Sequence, residues 1–376
     1  MKWKTPLFKI YWDENDVKSV EKIIRRGNYW TTGPEISKLE EEISKYIGIK
    51  YALTFNSGTS ALHAGLLAHK ITDGQVIVPS FTFISTANAV VLAGSKPVFA
   101  EIEDETFALD PEDVKEKITR KTKAIIPVHY GGMPCKNIKA LREIAEDKKL
   151  VLIEDAAESL GSKINGKMVG TFGDSSIFSF CQNKIITAGE GGIMVTNSKE
   201  VYNKLKLIRS HGRVENKQEF FSTTKKLDYI QLGYNYRMSS ISAALVLSQF
   251  KKINKIISLR RKIGKYYNKQ FSKIKEIKTP IDNNELNNVY QMYSILLRDK
   301  NTRNKIQRKL EKVKIMTKVY FNPIHLETFY KEKYDYRVGD LRKTEEISNK
   351  ILTLPMYPTL TNVEVNQIVN EIKNCL

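Results

Sequence analysis

The stretch Ser175-Ser176-Ile177-Phe178-Ser179-Phe180-Cys181-Gln182-Asn183-Lys184 runs on into Ile185-Ile186-Thr187-Ala188-Gly189-Glu190-Gly191-Gly192. It sets one lysine between an apolar, serine-punctuated strand pattern and a glycine-rich turn. A solvated surface lysine needs no such frame, whereas a lysine that must present a desolvated amine does. Upstream, Leu150-Val151-Leu152-Ile153 gives way to Glu154-Asp155-Ala156-Ala157-Glu158, so Asp155 falls where a buried strand should end. An acid at a strand end and a framed lysine downstream are the two anchors of pyridoxal phosphate (PLP). The carboxylate serves the ring nitrogen and the amine serves the aldehyde.

Around these anchors the chain alternates. Short apolar runs at Tyr51–Phe55, Gln75–Val78, Lys96–Ala100, Lys123–Val128, Leu150–Ile153, Ser175–Phe180 and Gly192–Val195 are separated by amphipathic stretches. That alternation predicts an α/β fold with a wound, largely parallel sheet covered on both faces. Ahead of it, Glu14–Arg26 and Pro34–Ile47 read as helices; in the second, Ile36, Leu39, Ile43 and Ile47 recur at helical spacing. After Met238 the texture turns Lys-rich and helical. Ser242–Ile257 reads as one long helix, Tyr293–Leu297 as a short strand, and Leu354-Pro355-Met356-Tyr357-Pro358 as a loop. At 376 residues the chain exceeds what one growing core supports. We expect a large domain over 1–250 and a smaller C-terminal one over 251–376.

Composition narrows the class. A hydrophobic content of 41% is ordinary for a globular protein. No apolar run approaches the roughly 18 residues of a membrane span, and the N-terminus lacks a signal-like apolar region. Three cysteines (Cys135, Cys181, Cys375) at wide spacing suit neither a disulfide framework nor a zinc site, so no metal is expected. The reading is a soluble, cytoplasmic protein. Its formal charge of +19 is spread through helical stretches and reads as solvated faces, with attraction of an anionic substrate as the functional alternative.

Asn56-Ser57-Gly58-Thr59-Ser60-Ala61 follows a strand and opens a helix. Either it is a phosphate cradle built from first-turn amides and the Ser57 and Thr59 hydroxyls, or it is an ordinary N-cap. Asp155 likewise reads as a ring-nitrogen partner or as a helix cap. Lys184, placed after Asp155 and beside Ser179 and Asn183, favours the first reading of each.

Several further stretches carry a resemblance. Pro79-Ser80-Phe81-Thr82-Phe83-Ile84-Ser85-Thr86-Ala87-Asn88-Ala89-Val90, Ile125-Ile126-Pro127-Val128-His129-Tyr130-Gly131, Glu154–Glu158, the Lys184 segment and Gly233-Tyr234-Asn235-Tyr236-Arg237-Met238 resemble the DegT/StrS nucleotide-sugar aminotransferases. The motifs run in the family's order from about residue 28 to 250. The resemblance implies a fold-type I PLP aminotransferase with a mainly parallel seven-stranded sheet domain and a smaller C-terminal α+β domain. It also implies a homodimer with shared active sites. Lys184 would be the Schiff-base lysine, and Asp155 the partner of the ring nitrogen. Phe83 would stack on the ring, and Ser57, Gly58, Thr59 and Ser179 would hold the phosphate, with Asn183 beside them. Asn235 would reach the neighbouring subunit's cofactor, and Glu158 would lie near the cofactor hydroxyl. Glu158 in that place looks most like the perosamine-synthase branch, which aminates C4 of GDP-4-keto-6-deoxymannose, with L-glutamate the expected donor. His325, Tyr320, His211 and Arg213 are candidate substrate contacts, and His129 is either a cofactor neighbour or a satisfied strand-end histidine.

Two other functions stand beside this one. A pyridoxamine-phosphate dehydratase of the same family would replace the lysine with histidine, and Lys184 is present. A nucleic-acid-binding regulator would suit the charge, but no helix-turn-helix, zinc finger or aromatic-interleaved basic run is visible. The sugar, the nucleotide and the aminated carbon stay open between GDP-, dTDP- and UDP-linked substrates aminated at C3 or C4.

Overall fold

The apolar runs form strands whose side chains alternate between two packed layers. The computed structural model describes residues 3–214, 224 and 226–376. The strands are β1 (Tyr51–Phe55), β2 (Gln75–Pro79), β3 (Lys96–Ala100), β4 (Thr122–Ile125), β5 (Val151–Asp155), β6 (Lys163–Ile164), β7 (Lys167–Met168), β8 (Ser175–Ser179), β9 (Gly192–Thr196), β10 (Leu286–Asn287), β11 (Tyr293–Leu296) and β12 (Ile351–Leu354). Seven of them form one sheet in the order β1-β9-β8-β5-β4-β2-β3. All neighbours pair in parallel except at β9, which runs antiparallel to both β8 and β1.

Alternation of side chains explains the layers. Leu53, Phe55, Ile153, Ile177 and Met194 enter one core with the helices Gly58–Ala68, Ser85–Leu92 and Lys199–Arg209. Their strand neighbours Ala52, Phe178, Ile193 and Val195 face the opposite layer, against Pro34–Ile47 and Ser240–Phe250. Leu152 joins Ile77, Ile125 and the helix Ile138–Asp147 in a third cluster. Strands buried on both faces are what the near-continuous apolar runs require.

Two expectations need correction. The stretch Ser242–Ile257 is two helices, Ser240–Phe250 and Ile253–Phe271, broken at Lys251-Lys252. No proline or glycine marks the break. Its cause is tertiary: Lys252 Nζ is held 2.8 Å from both Asp13 and Asp16, at the start of the helix Glu14–Arg26. The expected strand Lys123–Val128 ends at Ile125. Pro127 has no amide to donate, yet its carbonyl still accepts from Asp155 N–H at 2.9 Å, so this irregular end continues to support β5.

Beyond the large sheet, β11 and β12 pair antiparallel, and Tyr267, Tyr293, Ile295, Leu352 and Ile368 build a core around them. β10 pairs with the β6–β7 hairpin. The N-terminal segment lies across this region: Thr5 bridges Ile315, and the Leu7 carbonyl accepts from Met356 N–H. Phe8 is thereby fixed at the edge of the large sheet's cavity.

Phe178 is 1% exposed at the centre of the sheet. Phe178→Ala should cost about 3–5 kcal/mol, measured as a lower urea midpoint at unchanged slope.

Candidate active site

The carboxyl ends of the parallel strands and the start of antiparallel β9 share one edge of the sheet. Phe55 and Ser179 both pair with Gly192, and Asp155 ends β5 beside Ile177. Ligands gather at such an edge in open α/β sheets. A cavity of about 340 Å³ opens there. Of the residues named from sequence, Ser57, Gly58, Thr59, Phe83, Asp155, Glu158, Ser179, Asn183, Lys184 and Tyr320 all line it.

Asp155 is buried, with Oδ2 accepting from Thr86 Oγ1 at 2.8 Å and Oδ1 from Ala157 N–H at 3.2 Å. Burial pushes its carboxyl up from the ordinary value, against the Thr86 hydroxyl, the Ala157 amide and the Lys184 charge. Lys184 stands in the loop between β8 and β9. That loop is closed by Lys184 N–H to the Cys181 carbonyl and by Thr187 Oγ1 and Ala188 N–H to the Phe180 carbonyl. Gly189 takes a φ of +82°, which a side chain would strain. Lys184 Nζ lies 3.1 Å from Glu158 Oε1, and Glu158 Oε2 is fixed by Gly131 N–H at 2.8 Å. Both side chains are largely buried.

The helix Gly58–Ala68 begins at the cavity. The Ser57 hydroxyl is used by the cap, accepting from Ser60 N–H at 3.1 Å. Both readings of this motif therefore apply: the cap takes Ser57, while the first-turn amides of Gly58 and Thr59 have no intrahelical acceptor. A Cβ on Gly58 would sit 3.1 Å from Ser179 Cβ, and one on Gly192 would sit 2.5 Å from the Ser57 carbonyl oxygen. These glycines let the helix start close against the ends of β8 and β9.

The structure places four candidates elsewhere. His325 is fully buried, with Nδ1 2.7 Å from Ser80 Oγ and Nε2 3.2 Å from Glu345 Oε1, and it does not line the cavity. It ties the end of β2 to the helix Arg342–Lys350, and burial pushes its pKa down. Both ring nitrogens are thus taken by protein partners in this fold. His211 and Arg213 lie in the turn after the helix Lys199–Arg209, outside the cavity, with Arg213 bridged to Tyr229. Asn235 is exposed and also outside this chain's cavity, its carbonyl accepting from Asn56 Nδ2.

His129 resolves as the satisfied strand-end histidine. Its Nδ1 accepts from Cys135 N–H, so the proton sits on Nε2, which donates to Glu154 Oε2 at 3.0 Å. Sequence reading missed Thr86, Phe8, Lys318 and Phe321. Thr86 lies inside a quoted motif at a helix start; the other three come from segments with no pattern of their own.

Set beside known proteins, the chain matches the DegT/DnrJ/EryC1/StrS aminotransferase family over residues 11–373. It belongs to that family. GDP-perosamine synthase of Escherichia coli O157:H7 is 36% identical over 93% of this chain and 91% of its own length. Among solved structures, PseC of Helicobacter pylori, an aminotransferase involved in pseudoaminic acid biosynthesis, superposes with a TM-score of 0.90 at 28% identity. That match covers 100% of this chain and 98% of PseC. Spr1654 of Streptococcus pneumoniae, in its PLP form, gives a TM-score of 0.91 at 25% identity, covering 100% and 98%. This member of the DegT/DnrJ/EryC1/StrS family is a sugar aminotransferase with the fold-type I architecture, and pyridoxal phosphate is its cofactor. The cavity fits that group: a buried carboxylate with no ion-pair partner among the described residues faces it, beside a close-packed glycine cradle at a helix start.

The raised pKa of Asp155 has a sign. An acid whose folded pKa is raised contributes stability that is present below its unfolded value and is lost as pH rises through the folded one. Without the cofactor, the stability of Asp155→Asn relative to wild type should therefore improve as pH rises above about 4, the ordinary carboxyl value. Urea unfolding of both apoproteins across that range measures it.

Proposed function

We propose that this enzyme transfers an amino group from L-glutamate to C4 of GDP-4-keto-6-deoxymannose, with Lys184 and Asp155 as its catalytic residues. The observation that carries the chemistry is one cavity holding Lys184 against Glu158, the buried Asp155, and the glycine-lined start of the helix Gly58–Ala68. Likeness to the Escherichia coli GDP-perosamine synthase supports the substrate.

When bound, pyridoxal phosphate supplies an aldehyde and an electron-accepting ring. Asp155 would hold a positive charge at the ring nitrogen, offsetting the cost of its own burial. Thr86 orients that carboxylate. Gly58 and Thr59 amides and the Thr59 and Ser179 hydroxyls would hold the phosphate. Phe83, exposed at the cavity, would cover the ring face. Glu158, anchored by Gly131, keeps the Lys184 amine in position and can take a proton from its Nζ. Lys184 then serves as the base that moves a proton at that nitrogen. Asn183 shapes the loop through its carbonyl, which accepts from Gln291.

Two copies associate so that Asn235 of each reaches the other's cofactor phosphate. Support comes from the exposed apolar run beside it, Tyr229, Ile230 and Leu232, the last 81% exposed. No helix among the described residues is long and apolar enough to cross a membrane, and the cytoplasm is the proposed site of action. A second reading, C3 or C4 amination of a dTDP- or UDP-linked keto sugar, draws on the likeness to PseC.

Mass spectrometry of products from GDP-, UDP- and dTDP-linked 3- and 4-keto sugars, with glutamate as donor, tests the proposal. An amino product from the GDP-linked 4-keto sugar alone is expected; a product only from another nucleotide would favour the second reading. Lys184→Ala should lower turnover by at least about 10³-fold and abolish glutamate-induced bleaching of the cofactor absorbance. Full bleaching in that variant would remove Lys184 from its role.

A further inference from the structure

The cavity has two chemically distinct walls. One is the sheet edge with its lysine, acids and glycine cradle. The other comes from Phe8 and the segment Lys318–Phe321, of which the sequence motifs single out Tyr320 alone. Among the described residues lining the cavity, only Lys184 and Lys318 are cationic. Lys184 is paired with Glu158. Lys318 is not comparably paired: among the described residues no carboxylate lies within ion-pair distance of its Nζ.

Lysines are numerous here and most are solvated, so exposure alone says nothing. Lys318 differs in being held at both ends. Its backbone extends the β11–β12 pair: Lys318 N–H donates to the Thr353 carbonyl at 3.1 Å, and Thr353 N–H donates back at 2.8 Å. Its ammonium lies 4.7 Å from the centroid of the Tyr320 ring, itself a cavity wall. The Tyr320 carbonyl is in turn anchored by the Tyr130 hydroxyl. A cation over an aromatic face keeps its charge while giving up some of its freedom. Contact with an anion then costs less ordering than for a free lysine.

The acids of the cavity make this cation consequential. Asp155, Glu158 and Glu190 all line it, and an anionic substrate entering past them needs a compensating charge. The cradle at Gly58 and Thr59 would be taken by the cofactor phosphate.

We propose that Lys318, held over Tyr320, is the substrate-side anion contact that sets affinity for the charged part of a reactant. This deepens the reading above and rests on it. The anion has two sources in an aminotransferase acting on nucleotide sugars: the diphosphate of the sugar nucleotide and a carboxylate of the amino donor.

Lys318→Ala and Lys318→Arg holoenzymes separate these sources. The probes are GDP and guanosine by calorimetry, and L-glutamate by bleaching of the cofactor absorbance. Lys318→Ala should weaken one anionic probe roughly tenfold, leave guanosine and the cofactor spectrum unchanged, and regain most of the affinity in Lys318→Arg. Loss confined to GDP assigns the diphosphate, and loss confined to glutamate assigns the donor carboxylate. Unchanged affinity for both overturns the proposal. A wild type that binds GDP but aminates no keto-sugar nucleotide would sink the proposed activity while leaving the Lys318 result readable.

Discussion

Two adjacent carboxylates, Glu154 and Asp155, end the central strand of this sheet, and the rest of the site depends on how differently they are treated. Taking a carboxylate out of water is costly unless its oxygens are given donors. Glu154 is given four: the amides of Gly170, Phe172 and Gly173 and the Nε2–H of His129. Pointing the other way, Asp155 receives, among the described residues, only the Thr86 hydroxyl and the Ala157 amide. The first is a closed structural joint. The second remains short of positive charge, and a protonated ring nitrogen is what would complete it.

That asymmetry follows from strand geometry. Successive residues of β5 face opposite layers, so Glu154 meets the loop 170–173 while Asp155 meets the cavity. The joint at Glu154 also reaches the site indirectly. His129 N–H donates to the Asp155 carbonyl, and the Ser159 hydroxyl donates to the His129 carbonyl, so the turn carrying Glu158 is braced from behind. Glu158 can then hold Lys184 without itself being loose. The acids at 154, 155 and 158 thus meet three surroundings: the loop 170–173 and His129, the open cavity, and the Lys184 amine.

Much of this was legible in the residues. Strand–helix alternation gave the sheet, and apolar runs marked its strands to within a few positions, because a doubly covered strand has almost no freedom in composition. Asp155 and Lys184 could be named because one sits at a strand end and the other in a glycine-framed turn, where local chemistry restricts the choice; the roles expected of Glu158 and Ser179 came from the family resemblance. The helix break at Lys251-Lys252 was not legible, since its cause is two aspartates more than two hundred residues away. Thr86 was quoted but not singled out: a threonine in a first helical turn has an ordinary explanation, and only the fold brings its hydroxyl to Asp155.

His325 shows what only the fold reveals. A histidine in a proline-flanked loop looks available, but Ser80 and Glu345 take both ring nitrogens, and its ring packs near Phe99 and Tyr336. What it does is hold the C-terminal segment against the end of β2. That attachment has a consequence for specificity. The helix start, Asp155 and Lys184 are bound to the sheet's own register, so their spacing is fixed once the sheet forms. Phe8, Lys318 and Tyr320 reach the cavity only through joints such as His325–Ser80, Thr5–Ile315 and Lys318–Thr353. Changes in those joints can move the outer wall without disturbing the Lys184–Asp155 chemistry. A fold arranged this way can alter the outer wall of its cavity while keeping the sheet-bound end in register.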